Sequence, residues 1–195
     1  YTGDGVLQVY NKRTQAGIAA GINNINKEEG TGENAFLENT FKSNFRIFYG
    51  GRGGPEGGIT RRTYVNAKVQ HNFSESDNSQ FYNRMSGDAG YLNTSTNILS
   101  TTTNIQNIEG YKLSNLGQGR SLSNNTSNNL KFMYENRKQY GNFVNMTADY
   151  SNRFTTNNNF SETHVFKNDS TATSKVINTS QSTTNSDNLN IFGFI

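Results

Sequence analysis

The residues of this sequence best suited to acid–base chemistry are its two histidines, His71 and His164. His164 lies two residues after Glu162, and a carboxylate paired with an imidazole could support hydrolysis. General acid–base catalysis requires the groups to lie within hydrogen-bond reach, which the sequence does not establish. His71 falls on the apolar side of an alternating segment, where a histidine at an interface is the simpler interpretation. We therefore do not expect an enzyme.

Metal and phosphate chemistry are not expected either. The sequence has no cysteine, and its two distant histidines match no metal-ligand spacing. The glycine run at residues 50–58 lacks the Gly-Lys-Ser/Thr ending of a phosphate-binding loop and does not open a helix after a buried strand. We interpret it as a flexible loop and expect no metal ion or cofactor. The net charge of +3 comes from scattered lysines and arginines, so no nucleic-acid surface is expected.

The most informative stretch is residues 59–97, in which two alternating arms, 62–73 and 80–95, flank a polar turn at 74–79. A period of two indicates β-strands, because successive side chains point to opposite sides of the pleat. Strands in soluble domains usually have about 5–6 residues, whereas a tilted strand that crosses a bilayer needs roughly 9–11. The arms therefore predict a hairpin of a membrane β-barrel.

Each strand of such a barrel has one face toward lipid and one toward the lumen. Polar residues predicted to face the lumen are Arg62, Lys68, Arg84, Asp88, Lys131, Glu135, Asp149 and Arg153. Residues predicted to face lipid are Val65, Ala67, Val69, Met85, Ala89, Phe132, Val144, Met146 and Ala148. The competing interpretation of the charged set is the solvated face of a soluble sheet.

The composition agrees with a barrel. Only 31% of residues are apolar and the mean hydropathy is −0.80, yet aromatic residues reach 12%. No apolar run approaches the roughly 20 residues of a membrane helix. A transmembrane barrel reconciles these values, because only every second residue faces lipid, in a band about 25 Å tall.

Seven strands are predicted, joined by connections that alternate in length. The further strands are residues 5–10, 14–25, 122–135, 142–156 with a polar continuation to 166, and 171–195. Short turns are expected at 11–13, 136–141 and 167–170, and long connections at 26–58 and 97–119. Within the first long connection, residues 34–48 predict either a short helix or a loop folded on its aromatics. The fold class is all-β: an antiparallel up-and-down transmembrane barrel of 7–8 strands, or an arc of one.

Aromatic residues gather beside the short turns, where amphipathic rings would sit at the lipid headgroups. They are Tyr10, Phe73, Phe81, Tyr82, Tyr134, Tyr140 and Phe143. We expect them to form an aromatic girdle, although cross-strand pairing in a soluble sheet would also explain them.

The order of several segments resembles a known family. The string Asn-Asn-Ile-Asn at 23–26 is followed by a Phe-bearing loop, a glycine run and Gly-Ile-Thr at 58–60. The later segment 129–156 consists of a strand, a charged turn and an Asn/Ser-rich strand. This order resembles the outer-membrane β-barrel proteins common in Bacteroidota that are related to TonB-dependent receptors.

The resemblance implies a single β-barrel region over residues 1–195 that is part of a larger barrel in the bacterial outer membrane, surrounded by outer-membrane lipid. It also implies a plug domain upstream, contact with TonB and import of a bulky nutrient. No plug or TonB-contacting segment is seen in these residues. The alternatives are a soluble or surface-anchored β-rich adhesin and a small structural outer-membrane barrel.

Overall fold

A computed structural model describes residues 2–23, 58–74, 81–139, 142–168 and 171–194. Several predicted features lie outside these residues, wholly or almost wholly: the helix or loop at 34–48, the glycine run at 50–58, the turn at 74–79 and the girdle residue Tyr140.

Seven strands form one antiparallel sheet, and neighbours in sequence are neighbours in space. They are β1 Thr2–Tyr10, β2 Thr14–Asn23, β3 Gly58–Asn72, β4 Tyr82–Ile108, β5 Tyr111–Gln139, β6 Asn142–Lys167 and β7 Thr171–Phe194. This up-and-down order confirms the all-β prediction and the strand count. The sheet is not closed: within the described residues β1 and β7 are its two edges. The described residues contain no helix long and apolar enough to cross a membrane.

The predicted long loop at 97–119 is wrong. β4 continues to Ile108, β5 begins at Tyr111, and the two strands pair without interruption down to a connection of two residues, Glu109 and Gly110. Gly110 adopts φ +92°, a conformation that glycine reaches without steric cost. Threonine and isoleucine, which are frequent in this stretch, fit a pleated surface well, so its polar composition did not prevent strand formation. The predicted alternation of short and long connections therefore fails at this point.

Other boundaries differ by smaller amounts. Residues 136–139, predicted as part of a turn, complete β5. The polar continuation of the sixth strand is confirmed, since β6 extends to Lys167. Asn168 follows in the left-handed region, with φ 53°. Its backbone N–H donates to the carbonyl of Lys112 at 2.8 Å, and its side-chain oxygen accepts from the backbone N–H of Lys112 at 2.9 Å. The end of β6 is thus tied to the start of β5.

The register assigns every strand residue to one of two faces of the whole sheet. Lys68 pairs with Asp88, Asp88 with Lys131, and Lys131 with Asp149, so these four side chains form one row across β3 to β6. All eight residues predicted to face a lumen lie on the face that carries this row, which we call the polar face. All nine residues predicted to face lipid lie on the opposite, apolar face. What each face meets in the cell remains a prediction.

The strands also divide along their length. The band comprises β2 residues 14–20 and the paired segments 65–72, 83–91, 128–136, 144–152 and 187–194 of β3 to β7. The extension comprises residues 97–108, 111–122, 158–167 and 171–181, beyond the band in the same four strands β4 to β7.

Candidate functional site

The polar face is the sheltered face of the sheet. Every described residue that is buried lies on it: Gly17, Ala19, Asn23, Thr60, Tyr64, Lys68, Ser86, Thr96 and Glu135. Ala19 and Tyr64 are the only buried hydrophobic residues among them. Six of these nine buried residues are polar or charged.

The apolar face is open. Val65 and Val69 have 42% and 44% of their surface exposed, whereas Lys68, between them in β3, has 3%. Leu130, Phe132 and Met146 are exposed in the same way. Of the other predicted lipid-facing residues, Met85, Val144 and the three alanines Ala67, Ala89 and Ala148 are half-buried. Burial of polar groups together with exposure of large apolar groups is the reverse of the usual arrangement in water-soluble domains.

Charges of opposite sign alternate along the polar face. Asp88 lies between Lys68 and Lys131 on the neighbouring strands, and the ammonium nitrogen of Lys131 lies 3.8 Å from a carboxylate oxygen of Asp149. Each carboxylate in the row thus has a cation beside it, which offsets part of the cost of removing it from water. The row is suited to binding a polar segment laid against it by hydrogen bonds and ion pairs.

A second polar cluster lies at the end of this face where β4 begins and β5 ends. Arg84 donates from Nε to Oε2 of Glu135 at 2.5 Å, and its guanidinium lies 4.8 Å from the centre of the Tyr82 ring. Glu135 is buried and its partner is half-buried. Of the remaining residues predicted to face a lumen, Arg62 is half-buried and Arg153 is exposed.

The aromatic girdle is corrected by the register. Tyr10, Tyr82 and Phe143 lie on the polar face, because they occupy the same rows as Gln70 and Arg137 on that side. These rings therefore cannot border the apolar surface. Tyr134 does lie on the apolar face, and Phe73 follows β3 with 47% of its surface exposed.

The sequence also gave no indication of a second aromatic group. Tyr91, Tyr150 and Phe154 lie on the apolar face where the band meets the extension, and all three are exposed. Tyr91 lies on β4 and the other two lie on β6, so only the register of β4, β5 and β6 places Tyr91 at their level, and the linear sequence carries little signal for the group.

Each histidine lies within hydrogen-bond distance of one described side chain. His164 Nε2 lies 2.6 Å from Oε1 of Glu162, as the sequence suggested, and Lys175 of β7 donates to the same oxygen at 2.7 Å. These hydrogen bonds, first from Lys175 and then from His164, lower the pKa of Glu162. The structure describes no hydroxyl group bonded to His164, as a hydrolytic triad would require. His71 Nδ1 instead lies 2.8 Å from the hydroxyl of Thr14.

Two hollows lie on the apolar-face side of the sheet. The lower hollow, of about 440 Å³, is in the band; its lining includes Ile18, Leu130 and Phe132 together with smaller residues and the charged residues Lys68, Asp88 and Lys131. The upper hollow, of about 880 Å³, is in the extension. Its lining is mostly amide and hydroxyl side chains, with Arg120, Phe160 and two leucines, Leu99 and Leu122. The described residues contain no group of three potential metal ligands.

Comparison of the chain with protein-family models, with curated proteins and with solved structures found no match. The resemblance to TonB-dependent receptors therefore remains a prediction from the sequence.

Proposed function

We propose that this chain forms part of the wall of a β-barrel in the bacterial outer membrane, with the apolar face toward lipid and the polar face toward the lumen. The observation that carries the proposal is the inverted burial: every buried side chain of the described residues lies on the polar face, while large apolar side chains lie exposed on the other. In lipid the exposed valines, leucines and aromatic rings need no protein cover, and the polar lumen of a barrel suits the sheltered charges of the opposite face.

The dimensions of the band support the same proposal. In β4 the band takes up residues 83–91, about the 9–11 residues that a tilted strand needs to cross the hydrocarbon layer. β4 to β7 have between 24 and 29 residues each, so each continues well beyond that layer. Their second halves, the extension, would then stand outside the membrane, as the long hairpins of outer-membrane barrels do.

A soluble adhesin is less consistent with this arrangement. In a soluble sandwich the apolar faces of two sheets pack against each other about 10 Å apart. Here the described strands form one sheet, and an apolar surface that includes Val65, Leu130 and Met146 has no layer over it. A surface of this kind is expected where lipid or another protein covers it.

We further propose that the barrel belongs to a transporter of the TonB-dependent receptor type that imports a bulky nutrient. The row of alternating charges on the polar face suits a plug domain held by ion pairs and hydrogen bonds. A small structural barrel is the alternative, and it differs in having no plug to hold. The plug, TonB and the nutrient rest on the family resemblance.

The orientation of the faces is tested with single cysteines introduced into this chain, whose 195 residues contain none. The full-length protein is placed in lipid vesicles after labelling of Val69→Cys or Gln70→Cys with an environment-sensitive fluorophore. These neighbours in β3 lie on opposite faces. We expect a nitroxide carried on the lipid tails to quench the label at position 69 and to leave the label at position 70 largely unquenched.

Equal quenching at both positions, or stronger quenching at position 70, would contradict the wall proposal. The transporter proposal has a separate test: the full-length protein should co-purify with the periplasmic domain of TonB. Failure of that experiment alongside success of the quenching experiment would favour the small structural barrel.

A further inference from the structure

The upper hollow is built from four neighbouring strands of the extension. Arg120 of β5 lies opposite Leu99 of β4 on one side and Phe160 of β6 on the other. The next row toward the band contains Asn158, opposite Gln181 of β7. The volume of about 880 Å³ falls within the range of roughly 300–1,000 Å³ that small-molecule sites occupy.

The lining groups have hydrogen-bonding capacity that the structure does not use. Gln118, Asn158 and Gln181 each carry an amide with two donor hydrogens and an acceptor oxygen, and none of them is bonded to another described side chain. Arg120 donates from Nε to the side-chain oxygen of Asn97 at 3.4 Å, a long bond that leaves the other guanidinium hydrogens directed elsewhere. Phe160 has 41% of its surface exposed.

We propose that the upper hollow binds carbohydrate. A sugar ring presents hydroxyl groups that both donate and accept, which amides match in both roles, and an apolar C–H face that packs on an aromatic ring such as Phe160. The lining includes one cation, Arg120, and no carboxylate, so neutral and anionic sugars both fit. Nucleic acid would require clustered cations. The lower hollow lacks this chemistry because the atoms it exposes are almost all apolar, although Lys68, Asp88 and Lys131 belong to its lining.

The saccharide can come from two sources. Along β5 the upper hollow begins eight residues from Leu130 of the lower hollow, at Leu122, which is about 26 Å at roughly 3.3 Å per residue. Leu122 lies six residues, or about 20 Å, beyond the edge of the band on β5, where the upper hollow could meet the sugars of a surface glycolipid or a free oligosaccharide. The proposal itself does not depend on the membrane orientation, because binding can be measured on the purified full-length protein in detergent micelles.

The test measures binding of the full-length protein to immobilised maltohexaose, chitohexaose and sialyllactose. A second arm uses vesicles that contain lipopolysaccharide, with phosphatidylethanolamine vesicles as the blank. We expect saturable binding to a saccharide in at least one arm. Competition by the delipidated sugar would show that the vesicle arm reports the carbohydrate and not the lipid.

Phe160→Ala should weaken that binding about tenfold, because a packed aromatic ring contributes about that factor. Phe160→Tyr keeps the ring and should retain binding. Phe154→Ala is the matched control: Phe154 lies on the same strand and face, is exposed to 43% and does not line the hollow. A circular dichroism spectrum of each variant confirms the sheet. The proposal is overturned by absence of binding in both arms, by unchanged binding in Phe160→Ala, or by equal loss in Phe154→Ala.

Discussion

The band and the extension are two halves of the same strands with the same hydrogen-bonded ladder, yet their side chains differ in kind. In the band, valine, leucine and methionine occupy one face, while lysine, aspartate and glutamate occupy the other. In the extension, threonine, asparagine, serine and glutamine occupy both faces. Every residue of β4 from Leu99 to Ile108 is exposed. The ladder itself therefore does not require alternation. The alternation of apolar and charged side chains in the band therefore indicates that its two faces meet different surroundings.

The two hollows repeat this contrast on a single face. The lower one offers apolar atoms almost exclusively, and the upper one offers amides, hydroxyl groups and a guanidinium. A lipid tail suits the first and a sugar the second. The side chains of one face thus change along the strands in the order expected for a surface that passes from hydrocarbon through headgroups to water.

The largest effect is expected from placing a charge on the apolar side of the band. Ala67→Arg should cost about 2–4 kcal/mol of unfolding free energy in lipid vesicles if the site lies at mid-bilayer. Ala148→Arg, in the adjacent row on β6, should behave similarly. The measurement is urea unfolding of the full-length protein in vesicles, followed by circular dichroism. Asn66→Arg, the neighbour on the polar face, is the control and should cost much less; equal costs would remove the distinction between the faces.

A smaller effect is expected from breaking the buried ion pair of the band. Glu135→Ala removes the carboxylate that accepts a hydrogen bond from Arg84 Nε on the sheltered face, and loss of a hydrogen bond between charged groups there should cost about 1.5–3 kcal/mol. The same urea experiment measures the loss. Glu162→Ala removes the corresponding carboxylate of an exposed ion pair in the extension, where water can solvate the remaining Lys175, so its effect should be far smaller. A loss in Glu162→Ala as large as in Glu135→Ala would show that the extension is as closely packed as the band.

The sequence predicted the band well because its two faces differ. The alternation of Val65, Lys68 and Val69 was enough to assign strands and to group residues by face, and the register unites those groups across the sheet. The extension was missed for the same reason. Around Thr102 and Gly117 both faces are polar, so a strand in this stretch has no period that a hydropathy pattern can detect.

Contacts between strands could not be predicted, since they depend on register. Lys175 lies eleven residues beyond His164 in sequence, and only the pairing of β6 with β7 brings it to Glu162. The misplacement of Tyr82 and Phe143 in an outward girdle has a similar origin. The distance of an aromatic residue from a turn predicts its position along the strand, but it does not predict on which face of the sheet the ring lies.

A steric prediction compares glycines of the two regions. A Cβ at Gly21, beside the band, would clash with a carboxylate oxygen of Asp4 and lie 2.6 Å from the ring of buried Tyr64, whose hydroxyl donates to that oxygen at 3.1 Å. Gly21→Ala should therefore cost on the order of 1 kcal/mol, because the ring must move. At Gly117 in the extension the nearest atoms lie at ordinary contact distances, 3.6 Å and beyond.

Gly117→Ala is accordingly the matched control and should be neutral or slightly stabilising, since alanine restricts the unfolded chain. Both variants are compared by thermal unfolding in the same detergent. A greater loss at Gly117 than at Gly21 would mean that the extension, and not the region of Tyr64, is the more tightly packed.

The smallest expected effect is a change in the titration of the extension. Because hydrogen bonds from Lys175 and His164 lower the pKa of Glu162, the ionised carboxylate is favoured in the folded protein. The stabilisation that this pairing provides is present above the unfolded-state pKa of the carboxyl group and is lost as the pH falls through its lower folded-state pKa. Lys175→Met removes the larger of the two causes, so the pKa of Glu162 should rise toward its ordinary value. Carbon-13 NMR of labelled glutamate carboxyl groups measures it, with Lys138→Met, an exposed lysine at the other end of β5, as the control. An unchanged titration of Glu162 in Lys175→Met would mean that the two strands are not paired in this register at the outer end of the extension, and the walls of the upper hollow would then have to be reassigned.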